Sequence, residues 1–109
     1  MSTPVETTSQ ATIFSLQGQI NSANAAELEA QVVRALDGGV RKVLFDFAGL
    51  DYISSAGLRV VLVVAKRLKQ DGLFVLCNMQ PHVREVFDIS GFLAILNVEA
   101  TREEALARF

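Results

Sequence analysis

The sequence predicts an α/β fold, with a mixed, mostly parallel sheet of four to five strands and about four helices packed against it. Three observations predict it. Short apolar runs alternate along the chain with amphipathic stretches of helical period. Two of those runs, "RKVLFDF" and "LFVLC", are nearly continuous in apolar residues, as strands covered on both faces are. Glycine or proline punctuates the segments, at lengths that suit right-handed crossovers between parallel strands.

The elements follow in order. Ala11 to Gln17 alternates, with Ile13, Phe14 and Leu16 as core candidates, and reads as a strand that ends at Gly18. A shorter extended segment, Val5 to Thr8, can pair with it through a turn at Ser9–Gln10. The next helix places Leu28, Val32 and Leu36 at fourfold spacing, with Ala25 and Ala35 at its flanks. Asn21, Ser22 and Asn24 are candidate caps, Asn24 and Glu27 have capping-box spacing, and Gly38–Gly39 closes the helix.

"RKVLFDF" is then a strand and "AGLDYI" a loop. A second helix runs from about Ser55 to Gln70 and stops at Asp71–Gly72. Its core stripe is read as Leu58, Val61, Leu62, Ala65 and Leu68. Arg59, Val63, Lys66 and Gln70 fall on the opposite side. "LFVLC" is the next strand, and Pro81 to Ile89 a third helix closed by Ser90–Gly91. "AILNV" is a last strand, and "TREEALARF" a last helix capped by Thr101 with Glu104. With no repeat, low-complexity tract or linker, residues 1–109 read as a single domain.

Composition excludes several functions. Net charge is −2, and the one basic cluster, Lys66, Arg67 and Lys69, is a solvated helix face, so nucleic acid is not an expected partner. A single cysteine, Cys77, lies in a strand core and is expected to be a buried structural thiol in a reducing compartment. "MSTPVETTSQ" lacks the pattern of a signal peptide, and "VVLVVA" is too short to span a bilayer. The expectation is a soluble, cytoplasmic chain. Asp46 and Asp51 find no third ligand of the right type, so they are read as solvated loop charges and no metal is expected.

Function is concentrated in "DYISSAGLRV", residues 51–60, where two serines meet a helix start. Ser54 suits an N-cap, which leaves Ser55 and the small residues Ala56 and Gly57 to be explained. Small residues here would give a close approach to Ser55. A serine hydrolase requires a base, and the one histidine, His82, starts a different helix beside Pro81. The Gly-x-Ser-x-Gly elbow is absent. Phosphorylation is the alternative: a helix N-terminus offers free N–H groups and a positive dipole end, so the fold tolerates a phosphate while the outer surface changes.

"VLFDFAGLDYISSAGLRVVLVVAKRL" resembles the signature of the STAS domain family, in particular its anti-sigma-factor antagonists. "GQINSANAAELEAQV" is similar to that family's G-E-L-D segment with its first helix, and "VREVFDISGF" to its third helix. The resemblance implies a STAS-like fold and a non-enzymatic switch. In it, a cytoplasmic anti-sigma factor of the histidine-kinase-like serine kinase type is bound when the antagonist is unphosphorylated. A PP2C-type phosphatase resets the switch, and any ATP and magnesium belong to the kinase, leaving this chain without cofactor.

By the same resemblance the phosphoacceptor falls on Ser55. The family's aspartate beside it falls on Ser54, its second Ser/Thr on Ala56, and the G-E-L-D aspartate on Asn21. The implied partner surface comprises Asn21, Ser54, Ala56, Gly57, Leu58, Arg59 and Val63, with Ser90 and Phe92 joining it if the third helix lies alongside. A STAS subunit docking constitutively in a transporter or lipid-trafficking assembly is the alternative within the family. A small serine hydrolase is the alternative outside it.

Overall fold

The computed structural model describes residues 3–109. The elements are β1 (Val5–Thr7), β2 (Thr12–Ile20), α1 (Ala25–Asp37), β3 (Lys42–Ile53), α2 (Ser55–Leu68), β4 (Leu73–Cys77), α3 (Pro81–Ile89), a 3₁₀ turn (Phe92–Ala94), β5 (Asn97–Glu99) and α4 (Arg102–Leu106). The strands form one five-stranded sheet in the order β1-β2-β3-β4-β5. β1 runs antiparallel to β2, and the three remaining pairings are parallel. This is the expected α/β architecture, a mixed and mostly parallel sheet with four helices among the described residues.

Strand alternation divides the interior in two. Phe14, Leu16, Val43, Phe45, Phe47, Phe74 and Leu76 face the layer built by α1, α2 and α3. Ile13, Leu44, Val75 and Cys77 face the other side, where α4 covers them with Ala105. Edge-on ring contacts link Phe14 to Phe45, Phe45 to Phe74 and Phe47 to Phe87, with centroids 4.9–5.7 Å apart. They tie three strands to α3 through one aromatic seam.

Two strands run further than the sequence suggested. β2 continues past Gln17 to Ile20, and β3 continues through "AGLDYI" to Ile53. The extensions pair with each other, Gln17 with Gly49 and Ile20 with Ile53, across two register shifts. Gly18, at φ +67°, lies between the shifts, a conformation glycine takes without strain. β4 pairs with β3 only as far as Asp46–Cys77, so the extended part of β3 has a strand neighbour on one side alone. Its exposed, glycine- and acid-containing residues carry no clean period of two, which hid it from pattern reading. "AILNV" also differs: after Gly91 turns the chain at φ +79°, a 3₁₀ turn intervenes and the strand begins at Asn97.

α2 is rotated from its expected stripe. Gly57, Leu58, Val60, Val61, Val64 and Leu68 are buried, whereas Leu62, Val63 and Ala65 are half-buried. The buried set, which includes Val60 and Val64, follows the 3.6-residue period closely, and α2 packs beside α1 as well as on the sheet. α3 and α4 begin as expected, at Pro81 and after Thr101, whose hydroxyl accepts from Glu104 N at 3.1 Å.

Cys77 is the expected buried thiol. Burial pushes it up to about 12 from 9.0, with the Asp46 carboxylate adding to the shift. The sign follows: the folded state favours the protonated thiol, so its contribution is whole below pH 9.0 and is lost as pH rises toward about 12. Iodoacetamide at pH 8 is accordingly expected to leave Cys77 unlabelled in folded protein and to label it in 6 M guanidinium (roughly the denaturing range for such domains). Labelling of the native protein within minutes would contradict the packing described.

Candidate functional site at the start of helix α2

β2 and β3 end side by side, and the site grows from that pairing. The Ser54 amide donates to Ile20 O at 2.8 Å, which carries the ladder one step beyond Ile53. Ser54 is then extended, at φ −87° and ψ 174°, and its Oγ accepts from Gly57 N at 3.3 Å. It is the N-cap, as its residue type suggested. Ser55 is the first residue of α2 and is exposed. Among the described residues no hydrogen bond involves its hydroxyl. One serine holds the helix and the other is available.

Gly57 has a different role from the one expected. It is buried and faces inward; a Cβ there would lie 2.6 Å from Ile53 Cγ1 and 2.8 Å from Ile20 Cγ2. Its missing side chain lets the helix start sit directly on the two strand ends. It does not clear space around Ser55. Leu58, 8% exposed, likewise packs in the core. Neither residue offers a partner a side-chain surface, because both point at the sheet. Ala56 and Ser54 are half-buried, Arg59 is exposed, and Val63 is half-buried one turn further on.

Asn21, half-buried, follows Ile20 at the adjacent strand end. Its Oδ1 accepts from Ala23 N at 2.9 Å and Asn24 N at 3.2 Å. Asn24 Oδ1 accepts in return from Asn21 N at 2.8 Å, and its amide donates to Gln19 O. Asn24 is therefore the helix N-cap residue without capping the helix by its side chain. The two asparagines close a compact turn beside the serines, and an uncharged amide suits that role because it donates and accepts at once.

The acidic residues separate. Asp51 is exposed as expected, but Asp46 is not a solvated loop charge. It is 7% exposed, on the α4 side of β3, where Oδ2 accepts from Arg102 Nε at 3.0 Å and Nη2 at 2.9 Å. Its Oδ1 accepts from Ala48 N at 2.9 Å and Asn78 Nδ2 at 3.2 Å. The hydrogen bond to Asp46 raises the Arg102 guanidinium pKa and keeps it charged. Among the described residues no cluster of three or more His, Cys, Asp or Glu side chains could hold a metal ion.

His82 is exposed, and its Nε2 sits 2.5 Å from Asp51 O. Gln80 Nε2 donates to Ala48 O at 3.2 Å. These two side chains tie the start of α3 to the stretch of β3 that lacks a β4 neighbour. His82 thus braces the strand that leads into the serines. Tyr52, 50% exposed on that strand, adds an aromatic ring to this surface that the sequence pattern did not single out. Ser90 is exposed and Phe92 packs at the margin of the core. No helix among the described residues is long and apolar enough to cross a membrane.

The family model described as STAS domain matches residues 2–105. A protein of Bordetella bronchiseptica named as a candidate anti-sigma factor antagonist, BtrV, is 59% identical over 98 residues, 89% of this chain and 84% of that protein. Among solved structures, unphosphorylated SpoIIAA, an anti-sigma factor antagonist, is 27% identical with a TM-score of 0.83, over 97% of this chain and 94% of that one. Its phosphorylated form from Bacillus is 28% identical with a TM-score of 0.75, over 97% of both chains. A STAS domain protein of Planctomyces limnophilus shares the fold at a TM-score of 0.87 and 24% identity, over 99% of this chain and 97% of that one. The chain belongs to the STAS domain family, and its relatives include anti-sigma factor antagonists.

Proposed function

We infer that the chain is a phosphorylation-switched anti-sigma factor antagonist acting in the cytoplasm. It binds a kinase-type anti-sigma factor while Ser55 is unmodified, and is released when that partner phosphorylates Ser55. A PP2C-type phosphatase restores the binding form. The observation that carries this reading is the division of labour between the serines: Ser54 Oγ holds the Gly57 amide, and the exposed Ser55 hydroxyl is held by nothing among the described residues. A kinase active site can reach Ser55 without unfolding the helix.

The physical consequence is confined to the surface. A phosphoryl group adds about −1.5 to −2 charges and sits at the positive end of a 14-residue helix, where the fold accepts it. A partner seated on Ser54, Ser55, Ala56, Arg59, Val63 and the neighbouring Asn21 meets new bulk and charge. The partner-facing role of Gly57 and Leu58 is indirect: they hold the helix start against the strands.

Two substitutions test the assignment. With cognate kinase and ATP, the native chain is expected to gain one phosphate, located at Ser55 by mass spectrometry, and Ser55→Ala none. Ser55→Asp should melt like the native protein yet bind the kinase about tenfold or more weakly, since a carboxylate reproduces part of the charge. Equal retention of the kinase by both forms would favour constitutive docking. Ser54→Ala loses the cap and is expected to be less stable by about 1 kcal/mol in urea denaturation, while Ser55 remains a substrate. Loss of phosphorylation in a folded Ser54→Ala chain would transfer the acceptor role to Ser54.

A further inference from the structure

Arg59 stands four residues beyond Ser55 on α2. Side chains at that spacing share a helix face, with Cβ atoms about 5–6 Å apart, and both of these residues are exposed. Arg41, Arg67, Arg102 and Arg108 each hold a carboxylate. Arg59 holds none among the described residues. No acidic residue stands in the first turn of α2 to compete for it, and the next basic residues on the helix are Lys66 and Arg67, in the last turn. Ser54, beside the acceptor, has its hydroxyl turned to the Gly57 amide. The available cation and the available hydroxyl thus lie on one face, one turn apart.

We propose that Arg59 is the intramolecular clasp of the phosphorylated state, its guanidinium closing on the phosphoryl oxygens of phospho-Ser55. This rests on Ser55 being the acceptor and adds the residue that senses its modification. A planar guanidinium presents paired N–H donors that match phosphate oxygens, and a side chain four residues on reaches them without movement of the helix backbone. Phosphorylation then changes the surface twice. It places charge at Ser55, and it draws Arg59 away from any partner carboxylate that met it in the unmodified state. The charge of the modified site is partly neutralised within the chain, although no acidic or basic residue adjoins the acceptor in sequence.

The clasp is tested on protein carrying phosphoserine at position 55, installed during translation so that no kinase is needed. The second ionisation of that phosphate is followed by ³¹P NMR in the native chain, Arg59→Gln and Arg59→Lys. A neighbouring cation stabilises the dianion, so this ionisation is expected about 0.3 pH unit higher in Arg59→Gln than in the native chain. Arg59→Lys should fall between them, and 1 M salt should shrink the differences. Coincident native and Arg59→Gln curves at low salt would overturn the clasp. Unphosphorylated Arg59→Gln should melt with the native chain; a clear loss of stability there would assign Arg59 to the fold and overturn it equally. Failure of the kinase to modify Ser55 defeats the proposed function while leaving the ³¹P comparison decisive for the clasp.

Discussion

Arg102→Leu is expected to destabilise the protein by about 2–3 kcal/mol, the larger of the two main structural effects. Asp46 is 7% exposed, and its Oδ2 receives both Nε and Nη2 of Arg102. Without the guanidinium the carboxylate keeps only two neutral donors, Ala48 N and Asn78 Nδ2. Breaking a fully buried pair by removing one partner costs about 3–5 kcal/mol. Here the Arg102 side chain is 32% exposed, so water reaches the gap and the cost falls at or below the lower end of that range. The lost contact to Glu6, whose side chain is 61% exposed, adds little.

Urea denaturation at pH 7 measures the effect: the midpoint should fall with the slope unchanged. Arg102→Leu combined with Asp46→Asn should recover part of the loss, because the uncompensated charge is then gone. A single substitution within about 0.5 kcal/mol of native would show that Asp46 is solvated when unpaired. The pair anchors α4 over Ile13, Leu44, Val75 and Cys77, so Cys77 should also become easier to alkylate in Arg102→Leu.

Gly57→Ala is expected to destabilise by about 2 kcal/mol, although helix propensity alone predicts the opposite sign. Alanine in a helix is favoured over glycine by about 1 kcal/mol. Against that stand contacts of 2.6 Å and 2.8 Å from the new methyl to Ile53 Cγ1 and Ile20 Cγ2. Both isoleucines are buried, at 3% and 5% exposure, and their branched side chains have few rotamers to retreat into. Overpacking of this kind costs up to about 3 kcal/mol, so it wins. The relaxation available is a shift of the α2 start away from the strands, which moves Ser55. The variant should therefore combine lower stability with slower phosphorylation by the cognate kinase. A stabilised Gly57→Ala would mean that propensity outweighs packing here and that the helix start is loosely seated.

The order of elements, the bounds of β4 and α3, and the burial of Leu28, Val32 and Leu36 at fourfold spacing were legible in the sequence. These depend on local periodicity and on glycine and proline signals, which each segment carries by itself. The serine pair and its helix start were legible for the same reason, since a cap is a local interaction. The resemblance then pointed to Ser55 among the candidates.

Tertiary structure decided the rest, because it depends on what a residue meets across the fold. Asp46 reads as a loop charge until Arg102, 56 residues away, closes on it. "AGLDYI" reads as a loop until the end of β2 pairs with it through two register shifts. Gly57 reads as a small residue beside a modification site until Ile20 and Ile53 arrive beneath it. In each case the partner lies in a segment that leaves no mark on the local pattern. Local pattern in the sequence marked the order of the elements and the serine pair; the packing of distant segments decided which groups are committed to the fold and which, like Ser55 and Arg59, remain exposed at its surface.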